Sequence, residues 1–167
     1  GVVVETADQR LITLTLSDNT FENNDIAVQL KDPNIVLVNS GNRTPGDSNG
    51  LNGYLVRSGT VTEAKTWRAG DLPFVISGRI TFKRTNQQLT LEPGVVVKMA
   101  DKISQMSVGE LYVEAGSLVV GATGTEKVLI TSLSDDACSA AQAQGCDTNG
   151  DGDATTPTAG GWAGITI

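Results

Sequence analysis

The chain has 167 residues, enough for one domain, and only 4% are aromatic, so its core must be assembled mainly from Val, Ile and Leu. A net charge of −7 argues against nucleic-acid binding, which needs a basic surface to displace counterions. The absence of His removes the commonest general base and the commonest transition-metal ligand, and no apolar run is long enough to insert in a bilayer.

Nineteen Gly, together with many Asn, Asp, Ser and Thr, predict frequent turns between short strands, and hence an all-β chain. The opening Gly1-Val-Val-Val-Glu5 looks like the middle of a strand, as expected of a mature or excised fragment. Leu11–Leu16 alternates apolar and polar residues, the pattern of a half-buried strand. Ser17–Asp25 is turn-rich, with Phe21 free to point inward. Ile26–Leu30 and Ile35–Val38 are two further strands joined by Asp32-Pro33-Asn34. Ser40–Gly53 is expected to be an exposed loop, and Asn42-Arg43-Thr44 within it is formally a glycosylation sequon. Strand-like sequence resumes at Tyr54–Val56 and Gly59–Thr62. Trp67 reads as a packing residue, with sugar stacking as the alternative.

From Phe74 the strands are short and regular: Val75-Ile76, Ile80–Phe82, Leu89–Leu91, Val95–Val97, Leu111–Val113, Leu118–Val120 and Val128–Ile130. Ala137–Gln144 has the composition for a turn or two of helix. One internal match decides the expected fold. Leu89-Thr-Leu-Glu-Pro-Gly-Val-Val-Val aligns without gaps with Leu111-Tyr-Val-Glu-Ala-Gly-Ser-Leu-Val, so that Glu92 meets Glu114 and Gly94 meets Gly116. Two strands flank a turn whose Gly is expected at positive φ. Units this small cannot bury their own apolar faces, so neighbours must stack to form the core. A β-sandwich with a chance match is the competing architecture.

The stretches Leu89–Met99, Gly109–Gly116, Val128–Asp136, Asp147–Pro157 and Gly160–Ile165 resemble bacterial right-handed parallel β-helix repeat proteins, and Asn19–Asn24 is similar to the Asn-rich turns of such coils. Residues 1–167 are read as a single β-solenoid segment, of which the resemblance covers roughly residues 67–167 well and the first third loosely. The resemblance implies a right-handed parallel β-helix and an extracellular or cell-surface setting. It implies no single activity, since one fold can host many functions.

The most distinctive chemistry lies between Ser134 and Trp162. No Lys or Arg follows Lys127, yet Asp135, Asp136, Asp147, Asp151 and Asp153 do, and crowded carboxylates repel unless solvated or bound to a cation. Asp147-Thr-Asn149-Gly-Asp151-Gly-Asp153 sets oxygen ligands at alternate positions, with Gly152 where the chain must turn sharply. This matches the first half of an EF-hand-type Ca²⁺ loop, but position twelve is Thr158 where a bidentate Glu belongs. Missing ligands would come from Asp135, Asp136 and backbone carbonyls. A solvated acidic turn is the plainer alternative. Cys138 and Cys146 suit a disulfide that gathers this loop, with free thiols as the alternative; a zinc site would want four ligands.

The expected role is therefore structural or adhesive, not enzymatic: a module of an extracellular surface protein or fibre, stiffened by Ca²⁺. Its expected partners are neighbouring β-helix coils or identical subunits stacked end to end, and surface polysaccharide. The alternative is a carbohydrate-binding or polysaccharide-cleaving β-helix. The most compact basic group that could serve it, Arg79, Lys83 and Arg84, is expected to decorate a solvent face.

Overall fold

The computed structural model describes residues 1–6, 12–121, 126–137 and 147–167. Eleven strands occur among them: β1 (Val2–Val4), β2 (Ile12–Ser17), β3 (Val28–Leu30), β4 (Ile35–Ser40), β5 (Tyr54–Thr60), β6 (Lys65–Trp67), β7 (Phe74–Leu91), β8 (Val96–Met99), β9 (Glu110–Val120), β10 (Leu129–Ser132) and β11 (Gly164–Thr166). The only helical element among these residues is one 3₁₀ turn, Pro45–Asp47. The fold is all-β, as expected, and every strand pairing is parallel.

The pairings form ladders. In the first, Val2, Val28, Tyr54, Phe74, Val97 and Ile130 stand in line. In a second, Lys65, Leu89 and Leu118 are adjacent. In a third, Gly59, Ile80, Leu111 and Ile165 are adjacent. Strands β5, β7 and β9 run from one ladder into another, so these strands make one nine-stranded sheet; β2 and β4 form a separate pair.

Strand β7 explains the arrangement. Its 18 residues join all three ladders in succession: Phe74–Ile76 the first, Arg79–Phe82 the third and Gln88–Leu91 the second. It bends at Gly78, which has φ of 85°. It bends again between Lys83 and Gln88, where the register shifts. There the buried Gln87 turns its Oε1 back to accept the amides of Lys83 at 2.5 Å and Arg84 at 3.1 Å. That side chain satisfies backbone donors which the bend removes from the ladder.

Inward residues alternate along each strand. Tyr54, Val56, Phe74, Ile76, Val97 and Met99 share the main core with Ile80, Phe82, Leu89, Leu91 and Leu111. Trp67 stacks on Phe74 with centroids 4.4 Å apart and planes 5° from parallel, which is the packing role expected of it. Leu55 and Val75 point the opposite way and are also buried, in a second cluster with Leu51 and Leu133. The middle of the first ladder, Tyr54–Val56 and Phe74–Ile76, is therefore covered on both faces, which is why those two segments read as continuous apolar runs.

On the outer face Leu51 packs against Leu55 and Val75, and the exposed-loop expectation for 40–53 holds only in part: Ser40, Gly41, Arg43, Pro45, Gly46 and Gly50 are exposed. Asn42, Thr44, Asn49, Leu51 and Asn52 are all buried. Asn42 is 1% exposed, and its amide donates to Leu16 O and Tyr54 OH, so the sequon presents no free side chain for a glycan. Asparagines also stack between successive passes of the chain. Asn19 Nδ2 donates to Asn42 Oδ1 at 3.0 Å across a separation of 23 residues, and Asn24 Nδ2 to Asn49 Oδ1 at 2.9 Å across 25.

The internal match is real locally but is not the stacking register. Leu89 pairs with Leu118, and Leu111 with Ile80, so the aligned Leu89 and Leu111 belong to different ladders. Each corner is a strand, a turn and a strand with the same inward alternation, so units one strand out of phase look alike. The turn glycines behave as expected: Gly94 has φ of 82° and Gly116 of 109°.

Candidate functional site

The acidic segment lies over the outer face of the first ladder. In that ladder Val75, Lys98 and Thr131 stand side by side on adjacent strands. Lys98 neighbours the inward Val97 and so projects outward, where only 2% of it is exposed. Its ammonium donates to Asp135 O at 2.6 Å. Burial pushes the Lys98 pKa down, while the nearby carboxylates Asp136, Asp135 and Asp147 draw it back up. The acidic segment thus has a cation beneath it, delivered from 37 residues upstream. Sequence reasoning missed it. The signal was available: a lone Lys in the apolar run Val95–Met99 must be paired or hydrogen-bonded if that strand is buried.

A second anchor is Asp101, buried at the base of the segment. It accepts the hydroxyls of Ser132 at 2.5 Å and Ser134 at 2.6 Å, and the amides of Ile103 at 3.1 Å and Ser104 at 3.0 Å. Burial works to raise its pKa, but the hydrogen bonds from Ser132, Ser134, Ser104 and Ile103 hold the carboxyl below the ordinary carboxylate value. Across the segment, Asn52 ties the two polar excursions together. Its amide N–H donates to Thr148 O at 2.7 Å and its Nδ2 to Asp147 O at 3.2 Å.

The loop 147–155 is folded by its own side chains. Asp147 accepts the amides of Asp151 at 3.0 Å through Oδ1 and Gly152 at 2.6 Å through Oδ2. Gly152 has φ of 67°, the sharp turn expected there. Asn149 Nδ2 donates to Asp151 Oδ2 at 2.8 Å and to Thr155 Oγ1 at 3.0 Å, and the Thr155 hydroxyl donates to Asp151 Oδ2 at 2.5 Å.

The six expected metal ligands divide accordingly. Asp135 is engaged, accepting the Thr131 hydroxyl and the Ala137 amide. Asp147 is engaged with the backbone of its own loop. Asp153 is exposed. The other three carry buried oxygens without a hydrogen-bond partner: both carboxylate oxygens of Asp136, Oδ1 of Asn149 and Oδ1 of Asp151. Among the described residues, no three or more carboxylates, Cys or His converge as a metal-holding group. Cys138 and Cys146 lie outside the described residues.

Asp136 carries the electrostatic consequence. Burial raises its pKa to about 6; Lys98 acts in the opposite direction, and Asp147, Asp151 and Asp153 add to the rise. Beside the loop, Asn149, Asp151, Thr155, Ser134, Leu51 and Met106 help to line a cavity of about 210 Å³. That volume exceeds the roughly 30 Å³ that one water occupies in the liquid, so it has room for an ion with part of its hydration shell.

The basic group behaves as expected of a solvent face: Arg79, Lys83 and Arg84 are exposed. Arg79 pairs with Glu110 at 2.6 Å and lies over the Tyr112 ring, 4.9 Å from its centroid. No helix among the described residues is long and apolar enough to cross a membrane. No family model, curated protein or solved structure matches this chain.

Proposed function

We propose that the chain is a right-handed parallel β-helix from an extracellular surface or fibre protein, with a structural or adhesive role, and that its acidic loop takes up Ca²⁺. Support for the solenoid comes from β7, which serves three ladders in turn, and from the asparagines stacked one pass apart. Right-handedness follows from the rule that parallel crossovers are right-handed in nearly all cases. The edge strands β1, β10 and β11 each pair with one neighbour among the described strands, so further parallel strands fit on either side, from the same chain or from an identical subunit.

The single observation that carries the Ca²⁺ reading is the set of bare buried oxygens on Asp136, Asn149 and Asp151. A buried acceptor without a donor is costly, and four acceptors on one acidic segment suit a hard cation that takes six to eight oxygens. Asp136, Asn149 and Asp151 would supply the side-chain oxygens, with carbonyls and water completing the shell. Thr158 in place of the twelfth-position Glu, and Lys98 as a competing cation, point to a weak site. Affinities of about 10⁻⁴ to 10⁻³ M are typical of extracellular Ca²⁺ modules.

The test is a calorimetric Ca²⁺ titration joined to thermal melting. Saturating Ca²⁺ should raise the melting temperature, and Asp136→Asn combined with Asp151→Asn should abolish the rise. A melt indifferent to both EDTA and Ca²⁺, with no heat of binding, would overturn the site. The structural role is tested separately: turnover of acidic polysaccharides by the purified chain would overturn it.

A further inference from the structure

Away from the acidic loop, the turn between β3 and β4 meets β6 at an unusual polar cluster inside the main core. Lys65 faces inward by the same alternation as Trp67 and is 7% exposed. Its Nζ lies 2.7 Å from Pro33 O and 3.0 Å from the side-chain oxygen of Asn34. Asn34 is fully buried, and its carboxamide is fixed at both ends. Nδ2 donates to Asp32 Oδ1 at 2.8 Å and to Thr60 O at 2.9 Å. Oδ1 accepts the Thr62 amide at 2.8 Å and the Thr62 hydroxyl at 3.0 Å. The Thr62 N–H can only donate, which identifies the end of the amide it meets as oxygen.

From this arrangement we infer that Lys65 and Asn34 join in an intramolecular isopeptide bond, formed within the folded chain by attack of Lys65 Nζ on Asn34 Cγ. The parts that amide exchange needs are in place. Lys65 is the nucleophile, held against the amide it attacks. Thr62 presents two donors to the oxygen that becomes negative in the tetrahedral intermediate. Asp32 accepts from the nitrogen that must leave; no ion pair joins it to Lys65 in the resting arrangement, so it takes up the proton as Nζ closes on Cγ.

The step balances without an external reagent. Neutral Nζ adds to Cγ, and the C–O π electrons move onto Oδ1, where Thr62 holds them. Asp32 carries one proton from the attacking Nζ to Nδ2. The Cγ–Nδ2 bond then breaks and ammonia leaves. Asp32 finishes as the carboxylate it began as, and Lys65 keeps one amide N–H. The surroundings favour the reactive form of the amine. Burial lowers the Lys65 pKa to about 8, while Asp32 and Glu63, the charged groups acting on it, pull it upward. The amine fraction therefore rises as pH passes through that value, and the rate of bond formation rises with it. The product would tie the β3–β4 turn to β6, a covalent rivet between successive passes of the chain.

The test is the mass of the denatured full chain after incubation at pH 9. The expected mass is below the sequence mass by one ammonia. Digestion should leave a branched peptide containing Asn34 and Lys65, with no tryptic cleavage after Lys65. Lys65→Arg and Asp32→Asn should both restore the full mass. An unchanged wild-type mass with ordinary cleavage after Lys65 overturns the proposal, and so does a lost ammonia that maps elsewhere. This measurement on the wild-type chain decides the matter even if a variant fails to fold. An Asp32→Asn chain that keeps the native circular dichroism and still loses ammonia would overturn the proton-carrying role of Asp32.

Discussion

A carboxyl whose pKa is raised on folding stabilises the fold only while it is protonated. Asp136 moves from an ordinary value of 3.8 to about 6. Its contribution is fully present below the unfolded value and is lost as pH rises through about 6, because the folded chain holds the proton more tightly. In EDTA, the melting temperature should therefore fall between pH 4.5 and pH 7, and Asp136→Asn should flatten that slope. Saturating Ca²⁺ should flatten it as well, by giving the ionised carboxylate a partner. Melting curves across this range, with and without the ion, check the sign. In the sequence, alternation and charge crowding point to six ligands together, Asp135, Asp136, Asp147, Asn149, Asp151 and Asp153. Which of the six candidate residues keep free oxygens was not legible there, because it depends on Thr131, Thr155 and backbone amides that compete for the same lone pairs.

Among the elements, the turns discriminate most sharply between local and tertiary causes. Gly116 and Gly152 both have positive φ, and both are recognisable as turn glycines in the sequence. Their surroundings differ. A Cβ at Gly116 would lie 2.5 Å from the backbone oxygen of Gln87, while at Gly152 nothing stands within 4 Å. Gly152→Ala should cost about 1–2 kcal/mol, the backbone penalty alone. Gly116→Ala should cost more, because the carbonyl it strikes belongs to the bend in β7 and cannot withdraw. Urea unfolding of the two variants separates the terms. Strand positions themselves were mostly legible, since alternation is a property of neighbouring residues. The fusion of the segments near 75, 80 and 89 into the single strand β7 was not, because Gly78 and Gln87 look like strand breaks until the ladders on either side are known. Strand β6 was missed for a related reason: a Lys at an inward position hides the alternation.

For the molecule as a whole, stability should be graded along the first ladder. Phe74–Ile76 pair with strands on both sides and are buried on both faces, whereas β1 pairs on one side with Val3 60% exposed. In a parallel ladder, opening begins at the edge strands. Hydrogen exchange should therefore be slowest at Tyr54–Val56 and Phe74–Ile76, and fastest at Val2–Val4 and Gly164–Thr166. Uniform protection along the ladder would show one cooperative block. Addition of Ca²⁺ should slow exchange in Asp147–Thr155 with little change at β1.

The sequence alone determined the all-β composition, most of the strand positions, the glycine turns and the acidic character of the segment before Trp162. All of these are set by residues within a few positions of one another. The tertiary structure decided the rest. Parallel ladders join residues 20 or more positions apart, so only the folded chain shows that Leu89 stacks on Leu118 and not on Leu111. It also places Lys98 beneath the carboxylates and packs Leu51, from the polar stretch 40–53, against Leu55 and Val75. The same folding brings Lys65 against Asn34 across 31 positions. The physical reason is common to all four: a strand's alternation is local, but what its buried polar groups meet is set by the pass of chain beside it.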